Sequence, residues 1–260
     1  MKPRAKKRFG QHFLHDPGTI ERIVRSIAPA PGQRLVEVGP GRGAITAPLL
    51  AITGELDVVE IDRDVVPLLR QRCGAGELRV HLADALEFDF GALRGDGPRL
   101  RLVGNLPYNI STPLLFHFAT QLDAIEDMHF MLQREVVTRM AAAPGSKDYG
   151  RLTVMLAPRV AVEPLFDIGT GAFSPPPQVV STFFRLRPLR TCPFPLHDPA
   201  AYARVVAAAF SQRRKTLRNS LSGLLSAEAI VAAGIDPGAR PETLAPAEFA
   251  RLADRMTPAG

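Results

Sequence analysis

The chain has 260 residues, 46% of them hydrophobic, and its 32 Lys and Arg outnumber 26 Asp and Glu to give a formal charge of +6 and a pI near 9.8. That composition supports a buried core and excludes a disordered chain, and the length suits one large domain or a large one plus a small one. A basic surface attracts phosphate through long-range Coulomb forces and so favours a polyanionic partner. Cys73 and Cys192 stand apart, with no CxxC pair and no His at ligand spacing, so neither a disulfide framework nor a metal site is expected and reduced thiols in a cytosol fit best. The opening MKPRAKKRFG develops no signal-peptide core, and no run approaches the roughly 18 apolar residues of a membrane span. A cytoplasmic protein with no membrane partner is the expectation.

A basic segment, residues 1–14, precedes the first structured pattern. From Arg34 onward, RLVEVG, AITAPLLA, ELDVVEID, VVPLLRQRC and LRVHLAD alternate strand and helix character, the βαβαβ signature of a parallel sheet covered by helices on both faces. RLRLVGN continues as a fourth strand, a helix starts near Ser111 to Pro113, MHFMLQ forms a fifth strand and RLTVMLAP a helix. VAVEPLFDI and VSTFFRLRPL then read as a terminal antiparallel pair, separated by the proline-rich loop GTGAFSPPPQ. Beyond TCPFPLHDP the chain becomes alanine-rich with helical periodicity. The expectation is a doubly wound, Rossmann-like α/β domain over residues 1–192 and a small all-helical domain over residues 193–260.

Chemistry gathers at the carboxyl ends of the strands, where open α/β sheets bind ligands. Glycines at Gly39 and Gly41, where the first strand turns into a helix, let the backbone approach a bulky ligand, although Gly39, Gly41 and Ala44 also satisfy a dinucleotide pattern. Glu60 ends the second strand 21 residues after Gly39, where a carboxylate can accept from both ribose hydroxyls. Asp84 follows the third and can accept from an adenine amino group. Each alone is also an ordinary charged strand end. Glu37 is a carboxylate inside an apolar strand and needs a partner, either a ligand ammonium or ordered water. S-adenosylmethionine carries such an ammonium, and a nicotinamide dinucleotide does not.

The tetrad Asn105-Leu106-Pro107-Tyr108 follows the fourth strand. An adenine amine is a poor nucleophile because its lone pair is delocalised, and two acceptors receiving its protons would aim that lone pair at a sulfonium methyl. Asn105 can supply one through its side-chain oxygen. The Leu106 carbonyl can supply the other, since Pro107 biases Leu106 toward an extended conformation. Tyr108 offers a face for stacking the base. A loop followed by an N-capped helix would also account for NLPYN.

These residues resemble a family. The tetrad with the glycine turn is similar to the adenine amino-methyltransferases, and its leucine form is typical of those acting on ribosomal RNA. Phe9-Gly10-Gln11-His12-Phe13-Leu14, Phe173-Ser174-Pro175-Pro176-Pro177 with Val179 and Ser181, and Phe210 through Asn219 narrow the resemblance to the ribosomal RNA adenine dimethyltransferases, most closely the small-subunit (16S) type, across nearly the whole chain. The resemblance implies N6,N6-dimethylation of two adjacent adenosines in a hairpin loop near the 3′ end of small-subunit ribosomal RNA. It implies S-adenosylmethionine as cofactor, an assembling ribosomal subunit as partner and a role in ribosome biogenesis. It places His12 and Leu14 at the methionine end of the cofactor, although the family often has Asn at the position of His12. It makes Phe173 the second wall of a base sandwich opposite Tyr108.

Lys2, Arg4, Lys6, Lys7 and Arg8 form one basic cluster, and Arg213, Arg214, Lys215 and Arg218 form another at the start of the helical domain. The second is the better RNA-binding candidate, because a short basic run on a helix presents cations to successive phosphates. A monomer is expected. A nicotinamide-dependent oxidoreductase would leave the tetrad unexplained, and an assembly factor without catalysis would have a broken tetrad or cofactor site. A large-subunit methylase of the antibiotic-resistance type is disfavoured by the resemblance carried in FSQRRKTLRNSL.

Overall fold

Short apolar strands that alternate with helices bury themselves best as a parallel sheet with helices packed on its faces. The computed structural model describes residues 12–73, 76–212 and 214–256. In chain order it runs β1 (Phe13–Leu14), α1 (Pro17–Ile27), β2 (Leu35–Val38), α2 (Thr46–Thr53), β3 (Glu55–Glu60), α3 (Val66–Cys73), β4 (Glu77–Leu82), α4 (Phe90–Arg94), β5 (Leu100–Asn105), α5 (Ser111–Ala119) and β6 (Ile125–Gln133). There follow α6 (Arg134–Met140), α7 (Arg151–Leu156), β7 (Val160–Ile168), β8 (Phe173–Ser174) and β9 (Ser181–Pro188). The remaining helices are α8 (Pro199–Ala209), α9 (Leu217–Ser220), α10 (Ala227–Ala232) and α11 (Pro246–Ala253). Helix starts are written locally: Asp16 caps α1 by accepting from the Thr19 amide at 2.7 Å, and Pro17 occupies the first turn, where its missing N–H costs nothing.

Seven strands form the main sheet in the order β4-β3-β2-β5-β6-β9-β7. The pairs β4/β3, β3/β2, β2/β5 and β5/β6 are parallel, and β6/β9 is antiparallel. Winding proceeds from β2 outward through β3 and β4, then restarts on the other side with β5 and β6. The reversal opens a crevice at the carboxyl ends of β2 and β5, the place where such sheets take ligands. Inner strands are covered on both faces: Leu35, Val36, Leu56, Val58, Leu102 and Val103 are all buried. As expected, the two late strands lie at one edge, with β9 against β6 and β7 outermost.

Neither late strand extends through the proline-rich loop, which carries a short strand of its own, β8, paired antiparallel with β1 through Leu14↔Phe173 and Phe13↔Ser174. The chain also divides into compact units differently from the 192/193 boundary: one unit comprises Met1–Val137 with Val162–Pro188, the other Thr138–Ala161 with Leu189–Gly260. The inserted segment joins the helices because its apolar residues complete their core. Tyr149 and Val154 are buried with Tyr202, Val205, Leu217 and Phe249. Two phenols are satisfied there, Tyr202 donating to the Val154 carbonyl at 2.8 Å and Tyr149 to the Leu244 carbonyl at 2.7 Å. No helix among the described residues is long and apolar enough to cross a membrane.

Candidate active site

A cavity of about 280 Å³ lies at the carboxyl ends of β2, β3 and β5 and extends to the loop after β4. The glycine turn forms its floor. Gly39, at φ 68°, has open space where a Cβ would project, and its amide donates to the Val59 carbonyl at 2.9 Å. Gly41, at φ 52°, lies against the Phe13 ring, which a Cβ would meet at 3.3 Å. Both therefore adopt dihedrals that an L side chain strains to reach.

Three acidic side chains line the cavity. Glu60 ends β3, its two oxygens accepting from the Asp62 amide at 2.8 Å and the Gly41 amide at 3.3 Å. Burial raises its pKa against the lowering effect of those bonds. Asp84 accepts from the Leu86 amide through Oδ1 at 2.9 Å, an Asx turn that fixes the carboxylate at the cavity wall. Glu37, in the middle of β2, is 1% exposed, and its Oε2 has no hydrogen-bond partner. Burial pushes its pKa up to about 8; the Thr46 hydroxyl opposes this without closing a bond of ordinary geometry, and the Glu60 charge adds to it. An orphaned buried carboxylate in a cavity wall is suited to a ligand cation.

The tetrad sits directly across β2. Gly104 lets β5 approach β2 closely, since a Cβ there would lie 2.4 Å from the Val38 carbonyl oxygen. Asn105 follows, and its Nδ2 donates to the main-chain carbonyl of His12 at 2.9 Å. With the nitrogen so engaged, the side-chain oxygen Oδ1 remains as the acceptor of a residue that lines the cavity. The Leu106 side chain is buried, anchoring the loop. The Tyr108 hydroxyl shares a 2.6 Å hydrogen bond with Ser181 Oγ, and its ring stacks on the His12 imidazole with centroids 5.6 Å apart.

Comparison with known proteins identifies the lineage. Residues 2–257 match the family described as ribosomal RNA adenine dimethylase. The chain belongs to that family. It is 56% identical over 250 residues to the ribosomal RNA small subunit methyltransferase A of Nitrosococcus oceani, covering 96% of this chain and 95% of the relative. It is 55% identical over 254 residues to the protein of the same name in Pseudomonas aeruginosa, covering 97% of this chain and 95% of the relative. Among solved structures, a dimethyladenosine transferase from Plasmodium falciparum superposes with a TM-score of 0.77 at 22% identity, covering 93% of this chain and 96% of that one. The 23S rRNA methyltransferase ErmE superposes with a TM-score of 0.70 at 26% identity, covering 94% of this chain and 99% of that one. The doubly wound methyltransferase fold is thereby established.

Within this dimethylase framework, His12, Leu14, Glu37, Gly39, Gly41, Glu60, Asp84, Asn105, Leu106, Pro107 and Tyr108 all line the one cavity. Phe173 does not. The pairing of β8 with β1 turns its ring inward, where it is 2% exposed among Leu14, Ile23 and Phe183. The ring that faces Tyr108 belongs to His12 instead. The basic cluster also differs from its expected form. Arg213 lies outside the described residues, as do Phe9, Gly10, Gln11 and the N-terminal cations Lys2, Arg4, Lys6, Lys7 and Arg8. Arg214 and Lys215 are exposed in a turn, not on a helix, because extended Thr216 starts α9 only at Leu217, and exposed Arg218 alone of the described cations is helical.

Three contributors escaped the sequence reading as functional residues. Gly104 passed as a strand residue. Ile61 follows Glu60 and lies 50% exposed at the cavity. Ser181 entered only by resemblance, and its bond to Tyr108 required the fold to bring β9 beside the loop. An exposed isoleucine directly after an acidic strand end was the one usable signal.

Proposed function

We propose that the chain transfers methyl groups from S-adenosylmethionine to the exocyclic amines of two adjacent adenosines in a hairpin loop near the 3′ end of small-subunit ribosomal RNA, forming N6,N6-dimethyladenosine. The observation that carries this reading is the orientation of Asn105, whose amide nitrogen is tied to His12 so that its oxygen is left to accept from a substrate amine. An assembling small subunit is the partner, the protein acts as a monomer in the cytoplasm, and the step belongs to ribosome biogenesis.

When bound, S-adenosylmethionine supplies an electrophilic methyl on a sulfonium centre. Glu60 would accept from the ribose hydroxyls and Asp84 from the cofactor's adenine amino group, and Glu37, whose Oε2 has no partner, would meet the ammonium. His12 and Leu14 border the methionine end, and the turn at Gly39 and Gly41 admits the ligand against the main chain. On the acceptor side, Asn105 Oδ1 accepts a hydrogen bond from one N–H of the amine and the Leu106 carbonyl from the other, which favours a pyramidal nitrogen with its lone pair directed at the methyl. The Tyr108 ring holds the base plane, a contact of about 1–3 kcal/mol per base in single-stranded recognition. Positioning and fixed dipoles supply the catalysis. The amine proton becomes acidic after methylation and leaves to water, so the residues need supply no general base.

Arg214, Lys215 and Arg218, with Arg213, contact RNA phosphates, giving affinity and orientation without base readout. The domain division follows the chemistry: the sheet unit holds the cofactor and acceptor, and the helical unit holds RNA. Incubation of the protein with methyl-labelled S-adenosylmethionine and unmodified small subunits, followed by nucleoside analysis, tests the reading. Label should appear in dimethyladenosine. Label in any other nucleoside, or none at all, would refute it.

A further inference from the structure

Tyr108 is to receive the target base, yet its ring is already paired. The His12 imidazole lies on it with 5.6 Å between centroids and 30° between planes. A base slipped between the two rings would need two successive van der Waals contacts, roughly 7 Å in all. The stack as it stands is too narrow to admit one. One ring has to yield.

The contacts say which. Tyr108 is held by its 2.6 Å bond to Ser181, and Ser181 is fully buried. Among the described residues the His12 side chain makes one hydrogen bond, an exposed one from Nδ1 to the Pro175 carbonyl, 2.8 Å long, which water can replace. Its main chain has a separate duty, accepting from Asn105 Nδ2 at 2.9 Å. The imidazole can therefore rotate away about its own torsions while the carbonyl keeps Asn105 in place.

We infer that His12 is a placeholder, whose imidazole occupies the target base's seat on Tyr108 and must be displaced by the adenine that is to be methylated. The inference rests on the reading of Tyr108 as the base-stacking ring. It adds a threshold: every base meets the same displacement cost, and a two-ring purine, which covers more of the tyrosine, outweighs that cost more readily than a single-ring pyrimidine. The imidazole thus sets how strongly a base must stack before its amine reaches Asn105.

The test uses the full-length protein and small subunits reconstituted with 2-aminopurine at the target adenosine, whose fluorescence reports stacking. His12→Ala should capture the base about three- to tenfold more tightly than wild type, the range expected for losing one competing aromatic pair. His12→Phe, a larger competitor, should capture it more weakly than wild type. His12→Asn, which has no ring and provides a second chance should the alanine variant fail to fold, should behave as alanine. A fluorescent pyrimidine at the same position should bind more weakly than 2-aminopurine to both proteins and gain the same factor from His12→Ala, because the displaced imidazole is a cost common to both bases. Equal capture by all variants, or weaker capture by the ringless ones, overturns the inference. Wild-type protein that methylates no adenosine would instead overturn the functional reading beneath it.

Discussion

The side-chain nitrogen of Asn105 donates to the main-chain carbonyl of His12 across 2.9 Å, tying the end of β5 to the residue that leads into β1. A strand end that could rotate freely would present nitrogen or oxygen to the cavity with equal ease. The bond removes that freedom and leaves the oxygen as the acceptor.

Asn105→Ala removes that acceptor without disturbing a packed core, so turnover should fall about 10²- to 10³-fold, the range for deleting one oriented polar group from a site of this kind. Thermal melting should stay within a few degrees of wild type. Asn105→Asp is the sharper variant: it keeps an acceptor oxygen but loses the donor to His12 and sets a carboxylate against a carbonyl. It should lose most of its activity as well. Near-normal turnover in Asn105→Asp would show that the tie to His12 does not matter.

Glu37 predicts a proton. Its pKa is pushed up to about 8 by burial, so at pH 7 the folded, ligand-free protein carries it mostly neutral. A ligand ammonium brought beside it favours the ionised form, and binding should release a fraction of a proton near pH 7. Calorimetric titration with S-adenosylmethionine in buffers of different ionisation enthalpy reads this directly, and Glu37→Gln should abolish the buffer dependence. The stability sign runs the other way from a salt-bridged carboxylate. Because the folded pKa lies above the unfolded one, the contribution is complete below about pH 4.5 and is lost as pH rises toward 8. Ligand-free Glu37→Gln should therefore melt higher than wild type at pH 8, with the gap closing toward pH 5. A constant gap across that range would contradict the assignment.

Much of this site is legible in the amino-acid sequence. Strands β2, β3, β4 and β5 are short apolar runs bounded by Gly, Asp or Glu, and their carboxyl ends carry the residues with chemistry. What the sequence could not express were contacts made across long separations. The pairing of β1 with β8 joins dipeptides some 160 residues apart, too short for any periodicity, and places Phe173 opposite Leu14 in the core. For the same reason the resemblance sets His12 at the cofactor and gives no sign that its ring lies on Tyr108. The allegiance of Tyr149 and Val154 to the helical core was hidden because a six-residue helix has too little apolar stripe to declare a partner. The demand for glycine at position 104 was hidden because β2 and β5 are neighbours in space but not in sequence.

That demand is itself testable. A methyl group at Gly104 would sit 2.4 Å from the Val38 carbonyl oxygen, a main-chain atom in the middle of the sheet that has no rotamer to change. Gly104→Ala has to separate β2 from β5 or leave the clash, and it should cost about 1–3 kcal/mol in denaturant-measured stability, as overpacking of a tight interior does. Because Glu37 pairs in register with Val103 on β5, the same shift reaches both halves of the site. Cofactor affinity and turnover should fall together. A variant as stable as wild type would mean that the sheet absorbs the methyl group elsewhere.

The exposed cations of the helical unit differ in what they already face. Each Lys or Arg that neutralises an RNA phosphate contributes about 0.7–0.9 to the slope of log affinity against log salt. Lys215 and Arg218 are both exposed, but their surroundings differ. Glu228 is held below the ordinary carboxylate range by its own amide first, then by Ser226, and also by the positive charge of Arg218. Arg218 thus already interacts with an anion that RNA would have to compete with, and among the described residues no carboxylate forms an ion pair with Lys215. Lys215→Ala should reduce the salt slope for binding small subunits by close to one phosphate's share. Arg218→Ala should reduce it by less, and Glu228→Gln should strengthen RNA binding only when Arg218 is present. Equal slopes in the two alanine variants would remove Glu228 from the account, and no change in either would move the RNA-binding surface away from this turn.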